Sequence, residues 1–309
     1  MGRLHGYEVL LVLGSYWGRG YGGDAAVSQN IMDVPSSLPC PAEHDIFPCV
    51  CYASEDYIMD LDCSAVASEA ELAQIFGAHF PFPQFRNFTI TGNVNLKVLR
   101  AGVFGENSFE GIYVMYGDLE KVEEGAFFGS YSTATTMVLH HNKITSFPFQ
   151  EIERFTNLRE LRLNHNDIPE WQPMASKTLQ RLHIGNNPFG SLPKDAFVAM
   201  PSLRKIFFLK TNLQKISSGT FSEIPDLWYV DISRNQLTHI PEYTVVLTGQ
   251  KKCLYIHELQ RHQNSRSSRN LRSVLLRRPD LPAQQPTDGG TGGGVASAAG
   301  DWRQTTAYR

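Results

Sequence analysis

Apolar residues recur along the chain in one frame. Leu158, Leu161, Leu163, Asn166 and Ile168 fit L-x-x-L-x-L-x-x-N-x-L, as do Leu179, Leu182, Ile184, Asn187 and Phe189. Leu227, Val230, Ile232, Asn235 and Leu237 fit it again, and weaker copies start at Phe85, Phe109, Ala134 and Leu203. The seven starts are separated by 24, 25, 24, 21, 24 and 24 residues. Within each copy the apolar positions alternate, which predicts one short strand with one face inward. A single such unit cannot bury that face. Stacked units bury each other's faces and share one core.

A period of 20–29 residues with this frame is that of the leucine-rich repeat. The predicted fold is α/β: a curved parallel sheet of about seven repeats. Asn at the ninth position suits the turn, because its amide satisfies backbone groups that the bend leaves unpaired. Asn93, Asn142, Asn166, Asn187 and Asn235 hold that place, whereas Gly117 and Thr211 depart from it. Looser turns are expected at those two. A second column, Phe104, Phe127, Phe197 and Phe221, predicts a phenylalanine spine on the convex side. The 21-residue repeat from Leu158 lacks that Phe and carries Pro169 and Pro173, so its convex side is expected to be short and extended.

The frame divides the chain. Residues 1–26 read as a signal peptide and leader, with Arg3 before the apolar run Val9 to Leu13. Residues 27–39 are a linker, 40–84 a cysteine-rich cap and 85–250 the repeats. Ser68 and Glu71 form a capping box before a short helix at Leu72, Ile75 and Phe76. Residues 251–309 hold ten Lys/Arg and four Asp/Glu and turn Gly/Ala-rich, which predicts a disordered tail.

Composition is ordinary: 42% hydrophobic, 19% charged, formal net charge −3. That balance excludes a typical nucleic-acid binder, and no segment has the length of a membrane span. Four of the five cysteines cluster as C-x8-C-x-C-x11-C at Cys40, Cys49, Cys51 and Cys63. Such a group suits two disulfides or a metal site, and the paired C-x2–4-C spacing usual for zinc is absent. Directly before the first repeat, a stapled cap would cover the open apolar end of the solenoid.

Catalytic signals are missing. Gly18, Gly20 and Gly23 match G-x-G-x-x-G, but no βαβ unit follows. There is no G-x-S-x-G or H-E-x-x-H, and no cofactor is implied. His140, His141, His165 and His183 fall in three successive repeats, and His141 and His165 share a repeat position where their rings are expected to meet. Without a ligand set of known spacing they read as surface histidines rather than a metal site.

Binding signals are present. The outward middle position of successive strands reads Thr89, Tyr113, Val138, Arg162, His183, Phe207 and Asp231. Met115, Tyr116, Arg181, Lys205 and Tyr229 flank it. Aromatics and arginines exposed together are characteristic of interface anchors, so Tyr113, Met115, Tyr116, Arg162, Arg181, His183, Phe207, Tyr229 and Asp231 are the expected partner-binding residues. Asn87-Phe88-Thr89 is a glycosylation sequon on the first repeat strand. The basic tail, Arg261 to Arg278, offers anionic glycans or membranes a second contact, although a solvated linker explains it as well.

The cap spacing resembles that of extracellular leucine-rich-repeat proteins. That resemblance implies the pairing Cys40–Cys51 and Cys49–Cys63. From CPAEHDIFPCVC through DLDCS, AGVF and FPF to NQLTHIP, the chain resembles the family of oplophorus-luciferin 2-monooxygenase non-catalytic subunits and their arthropod relatives. The resemblance covers about residues 40–243. It implies a secreted, non-enzymatic protein that associates with a small luciferase-type partner. A matrix or cell-surface recognition protein binding glycans or other ligands is the alternative. One departure is plain: the family closes its last repeat with a cysteine-bearing cap, and here only Cys253 is available.

Overall fold

A computed structural model describes residues 39–222 and 224–238, together with the backbone of 253–259, 271–277 and 305–306. The expected signal peptide and most of the expected linker lie outside the described residues.

The described chain winds as a solenoid. Its opening segment carries a one-turn helix α1 (Glu43–Ile46), strands β1 (Val50–Ala53) and β2 (Met59–Asp62), and helix α2 (Glu69–Phe76). Ser68 caps α2 by accepting from the Glu71 backbone N–H at 3.1 Å. Glu71 in turn accepts from the Ala67 N–H at 2.5 Å. One orphan donor of the first turn and the N–H of the residue just ahead of the cap are thereby satisfied.

The repeats follow, one strand each: β3 (Gln84–Thr91), β5 (Ser108–Met115), β7 (Thr136–Val138), β8 (Glu160–Arg162), β9 (Arg181–His183), β10 (Lys205–Phe207) and β11 (Tyr229–Asp231). On the far side β4 (Val98–Leu99) pairs with β6 (Lys121–Val122) in a small parallel sheet. Leu61, Phe88, Ile112, Met137, Leu161, Leu182, Ile206 and Val230 stand side by side in the main parallel ladder. This is the fourth position of every predicted repeat, preceded by one further rung from β2. The ladder therefore starts inside the cap, where the sequence frame places no repeat.

Each of those side chains is buried in one continuous core. Phe104 stacks on Phe127 at 5.1 Å and Phe197 on Phe221 at 5.5 Å, forming the phenylalanine spine in two runs. Between the runs, the extended 21-residue repeat supplies Trp171, 5.4 Å from Phe197 and 5.5 Å from Phe208. An indole from a different repeat position fills the gap left by the missing Phe.

Buried asparagines hold the turns in series. Asn166 donates to the Leu139 and Leu163 carbonyls and accepts from the Ile144 N–H. Asn187 donates to Leu163 and Ile184 and accepts from Ile168. Each amide thus ties one turn to the turn before it.

The expectation of loose turns at Gly117 and Thr211 is incorrect. Thr211 is fully buried, and its hydroxyl donates to the Phe208 carbonyl and to Asn235 Oδ1, both at 3.1 Å. Gly117 donates to Asn142 Oδ1 at 3.2 Å. In both turns the following repeat's asparagine supplies the acceptor.

Within the segment expected to be a disordered tail, three backbone stretches are strand. β12 (Cys253–Leu259) joins β11 in parallel, β13 (Leu271–Arg277) returns antiparallel, and β14 (Thr305–Thr306) pairs with β13. The repeat frame has stopped by then, so the sequence carried no periodic signal for these strands. What joins them here is backbone pairing at the edge left by β11.

Candidate binding face

One face of the main sheet packs on the core, and the other carries the outward positions of every repeat. Two parallel rows run across it. One reads Asp60, Asn87, Gly111, Thr136, Glu160, Arg181, Lys205 and Tyr229. Its neighbour reads Asp62, Thr89, Tyr113, Val138, Arg162, His183, Phe207 and Asp231. Adjacent strands stand about 4.8 Å apart, so equivalent side chains of successive repeats touch.

The predicted site residues fall into separate groups along this face. Nearest the cap, Asn87 donates from Nδ2 to Asp60 Oδ1 at 2.9 Å, while Arg86 pairs with the same carboxylate. That pair holds Asp60 below its ordinary value, chiefly through the Arg86 hydrogen bond. The Tyr113 ring lies over Gly111, where a Cβ would come within 2.7 Å of it. Tyr113 and Met115 are half-buried at this end.

A second group gathers at the strand ends. Tyr116 stacks on His141 at 4.8 Å, and His141 stacks on His165 at 4.1 Å. His140 and His141 bring their Nδ1 atoms to 2.8 Å. Burial first, then the charge of His141, holds His140 below the ordinary histidine value. Tyr116, His141 and His165 share a left-handed backbone at one repeat position, which aligns their rings. His183 does not join them.

The third group contains most of the predicted anchors. Glu160 is nearly inaccessible and accepts from Arg181 Nε at 2.8 Å, Arg181 Nη2 at 2.6 Å and Arg162 Nε at 2.5 Å. Burial raises the Glu160 pKa, but the hydrogen bonds from Arg181 and Arg162 outweigh it and the carboxyl stays below its ordinary value. The His183 ring lies flat on Phe207 at 4.2 Å, and Phe207 leans on Tyr229 at 5.1 Å. Burial and the neighbouring Arg162 push His183 down to about 4, so the imidazole is neutral at pH 7. Its Nε2 lies 3.6 Å from Glu160 Oε1 and has no hydrogen-bond partner among the described residues. Lys205 sits over the indole of Trp228 at 4.6 Å, and Asp231 accepts from the Ser233 N–H at 2.9 Å.

Sequence reasoning missed Glu160, which organises this group. The signal was available: Glu160 and Arg162 are two apart on one strand, and Arg181 is Glu160's counterpart in the next repeat. Val138 is a difference of another kind. It occupies an outward position yet is buried.

The cap is covalently closed. Cys40 is bonded to Cys51, and Cys49 to Cys63. Disulfides in such a cap persist in an oxidising compartment, which sets the domain outside the cell. Among the described residues no helix is long and apolar enough to cross a membrane, and no group of three or more His, Cys, Asp or Glu is placed to hold a metal ion.

The family profile for the leucine rich repeat matches residues 177–237. With the 24-residue ladder and the asparagine series, that decides the architecture. The chain is a leucine-rich-repeat solenoid. Among proteins of known name, this solenoid is 37% identical to the oplophorus-luciferin 2-monooxygenase non-catalytic subunit of Oplophorus gracilirostris. That match covers 70% of this chain and 61% of the relative. It is 27% identical to podocan-like protein 1 of Mus musculus over 50% of this chain and 29% of the relative. The solenoid therefore spans less than two thirds of either relative. Among solved structures, human trophoblast glycoprotein is 25% identical with a TM-score of 0.47, covering 66% of this chain and 75% of that one.

Proposed function

We propose that this chain is a secreted, non-catalytic scaffold that holds a protein partner on the open face of its sheet. The observation that carries this reading is the third group: a stacked His183–Phe207–Tyr229 strip beside arginines fixed by Glu160. Rigid aromatics and oriented guanidinium groups bind with little loss of side-chain entropy. The likeness to a subunit named non-catalytic supports the absence of chemistry and suggests a catalytic protein as the partner. In this reading residues 1–26 are the secretion signal, residues 27–39 a linker, and Asn87 carries a glycan at the cap end of the face.

The test is purification of the secreted protein with whatever catalytic protein accompanies it. Replacing Tyr113 and Phe207 with Ala should reduce co-purification severalfold while the melting temperature stays within a few degrees. Undiminished co-purification by a folded double variant removes the face from the interface. A second reading, a matrix or cell-surface protein binding glycans, draws on the basic 251–309 segment and on the likeness to podocan-like protein 1. Heparin retention that disappears when 251–309 is deleted would favour it.

A further inference from the structure

The face is not electrically uniform. Within its β8–β11 half the two acidic positions are Glu160 and Asp231. Glu160 is neutralised twice over by Arg162 and Arg181. Four further cations flank the aromatic strip, all exposed and none in an ion pair among the described residues. Arg159 and Arg204 occupy the position just before the strands β8 and β10. Lys210 and Arg234 occupy the left-handed position beyond β10 and β11. The strip His183–Phe207–Tyr229 lies between these two rims. The chain as a whole is negative, at −3, so this concentration of positive charge is not a consequence of composition.

We propose that this half of the face recognises an acidic polypeptide segment, with carboxylates on the two rims and apolar side chains on the strip between them. The inference rests on the binding face proposed above and names the chemistry of its partner. Lys210 lies six positions after Arg204, so the rims are no more than about 20 Å apart. An extended segment of about six residues spans that distance. A neutral or basic partner would leave the four cations uncompensated at the contact. A sulfated polysaccharide would satisfy them but brings no apolar side chain for Phe207. The chain's own 251–309 segment, with ten Lys/Arg against four Asp/Glu, has the wrong sign.

The experiment uses the full chain and a fluorescein-labelled nonapeptide with three acidic residues on each side of a Leu-Phe-Leu centre. Fluorescence anisotropy should show saturable binding that weakens as salt is raised. The quadruple variant R159E/R204E/K210E/R234E should bind at least about tenfold more weakly. Because all four side chains are exposed, its melting temperature should stay close to that of the parent. A peptide with lysines in place of the acids should not bind. Equal binding by parent and quadruple variant overturns the proposal, and so does binding of the lysine peptide. Heparin that binds more tightly than the peptide and is lost in the quadruple variant assigns the cations to a polysaccharide instead. Dimerisation of the parent chain that the variant abolishes assigns them to a second copy. Both results overturn the proposal. The two readings fail separately: a natural partner lost with Phe207→Ala but kept by the quadruple variant leaves the face standing and removes the acidic segment.

Discussion

A Cβ placed on Gly117 would stand 2.4 Å from the Asn93 carbonyl oxygen. Backbone cannot yield that much locally, so Gly117→Ala should push two turns apart and cost about 2 kcal/mol. At Thr211 the hydroxyl replaces the usual amide, and Thr211→Val would keep the volume but remove both hydrogen bonds. That should cost about 1 kcal/mol, because Asn235 Oδ1 keeps the Thr211 and Leu213 N–H donors and the Phe208 carbonyl keeps Asn235 Nδ2, so only the hydroxyl's own bonds are lost. Urea denaturation of both variants checks this, and midpoints equal to the parent's would show that the turns are loose after all. Neither residue's role was legible in its own repeat. The acceptor that holds each turn belongs to an asparagine about one repeat later, Asn142 for Gly117 and Asn235 for Thr211. Reading one repeat at a time reveals a missing amide but not the neighbour that compensates for it.

Strands β8 to β10 show the same relation between neighbouring elements, here through charge. His183 is neutral in the folded chain because burial and Arg162 hold its pKa near 4, against about 6.5 unfolded. Above pH 6.5 both states are neutral and the residue contributes nothing to pH dependence. As pH falls from 6.5 towards 4, the unfolded chain binds a proton that the folded chain refuses, so stability falls. The loss should reach about 2 kcal/mol at pH 5. Glu160 acts in a lower window: its lowered pKa stabilises the fold above the ordinary carboxylate value, and that contribution is lost as pH falls further. Comparing urea midpoints at pH 7.5 and pH 5 covers the histidine window, to which His140 and His165, also held below the ordinary value by burial first, contribute in the same direction. His183→Phe should reduce the difference, and an unchanged difference would assign it to other groups. Period and alternation made the strands and their outward rows legible, down to the pairing of Arg162 with His183 and Phe207. They did not reveal which outward residues become buried. Glu160 and Val138 look solvent-facing in sequence and are both buried, Glu160 beneath Arg181 of the next repeat.

At the scale of the whole molecule, stability in a solenoid is a sum over neighbouring turns, so damage at one end should stay near that end. The cap was legible as a cap from its four cysteines and its place before the first repeat, but four cysteines allow three connectivities, and spacing alone does not choose among them. The bond between Cys49 and Cys63 closes a 14-residue separation and anchors the buried Cys63, whose N–H donates to the Thr89 carbonyl of β3. Replacing both cysteines with Ser should cost about 3 kcal/mol, most of it from the greater freedom of the unfolded cap. Because β2 is the first parallel rung, the loss should appear as faster amide hydrogen exchange through β1, β2 and β3. Protection in β8 to β11 should change little, since several intact turns separate them from the cap. Uniform acceleration along all the strands would contradict this and would mean that the turns unfold as one cooperative unit. In that case the asparagine series, which links five of the turns to their predecessors through side-chain amides, transmits stability along the solenoid rather than between neighbours alone.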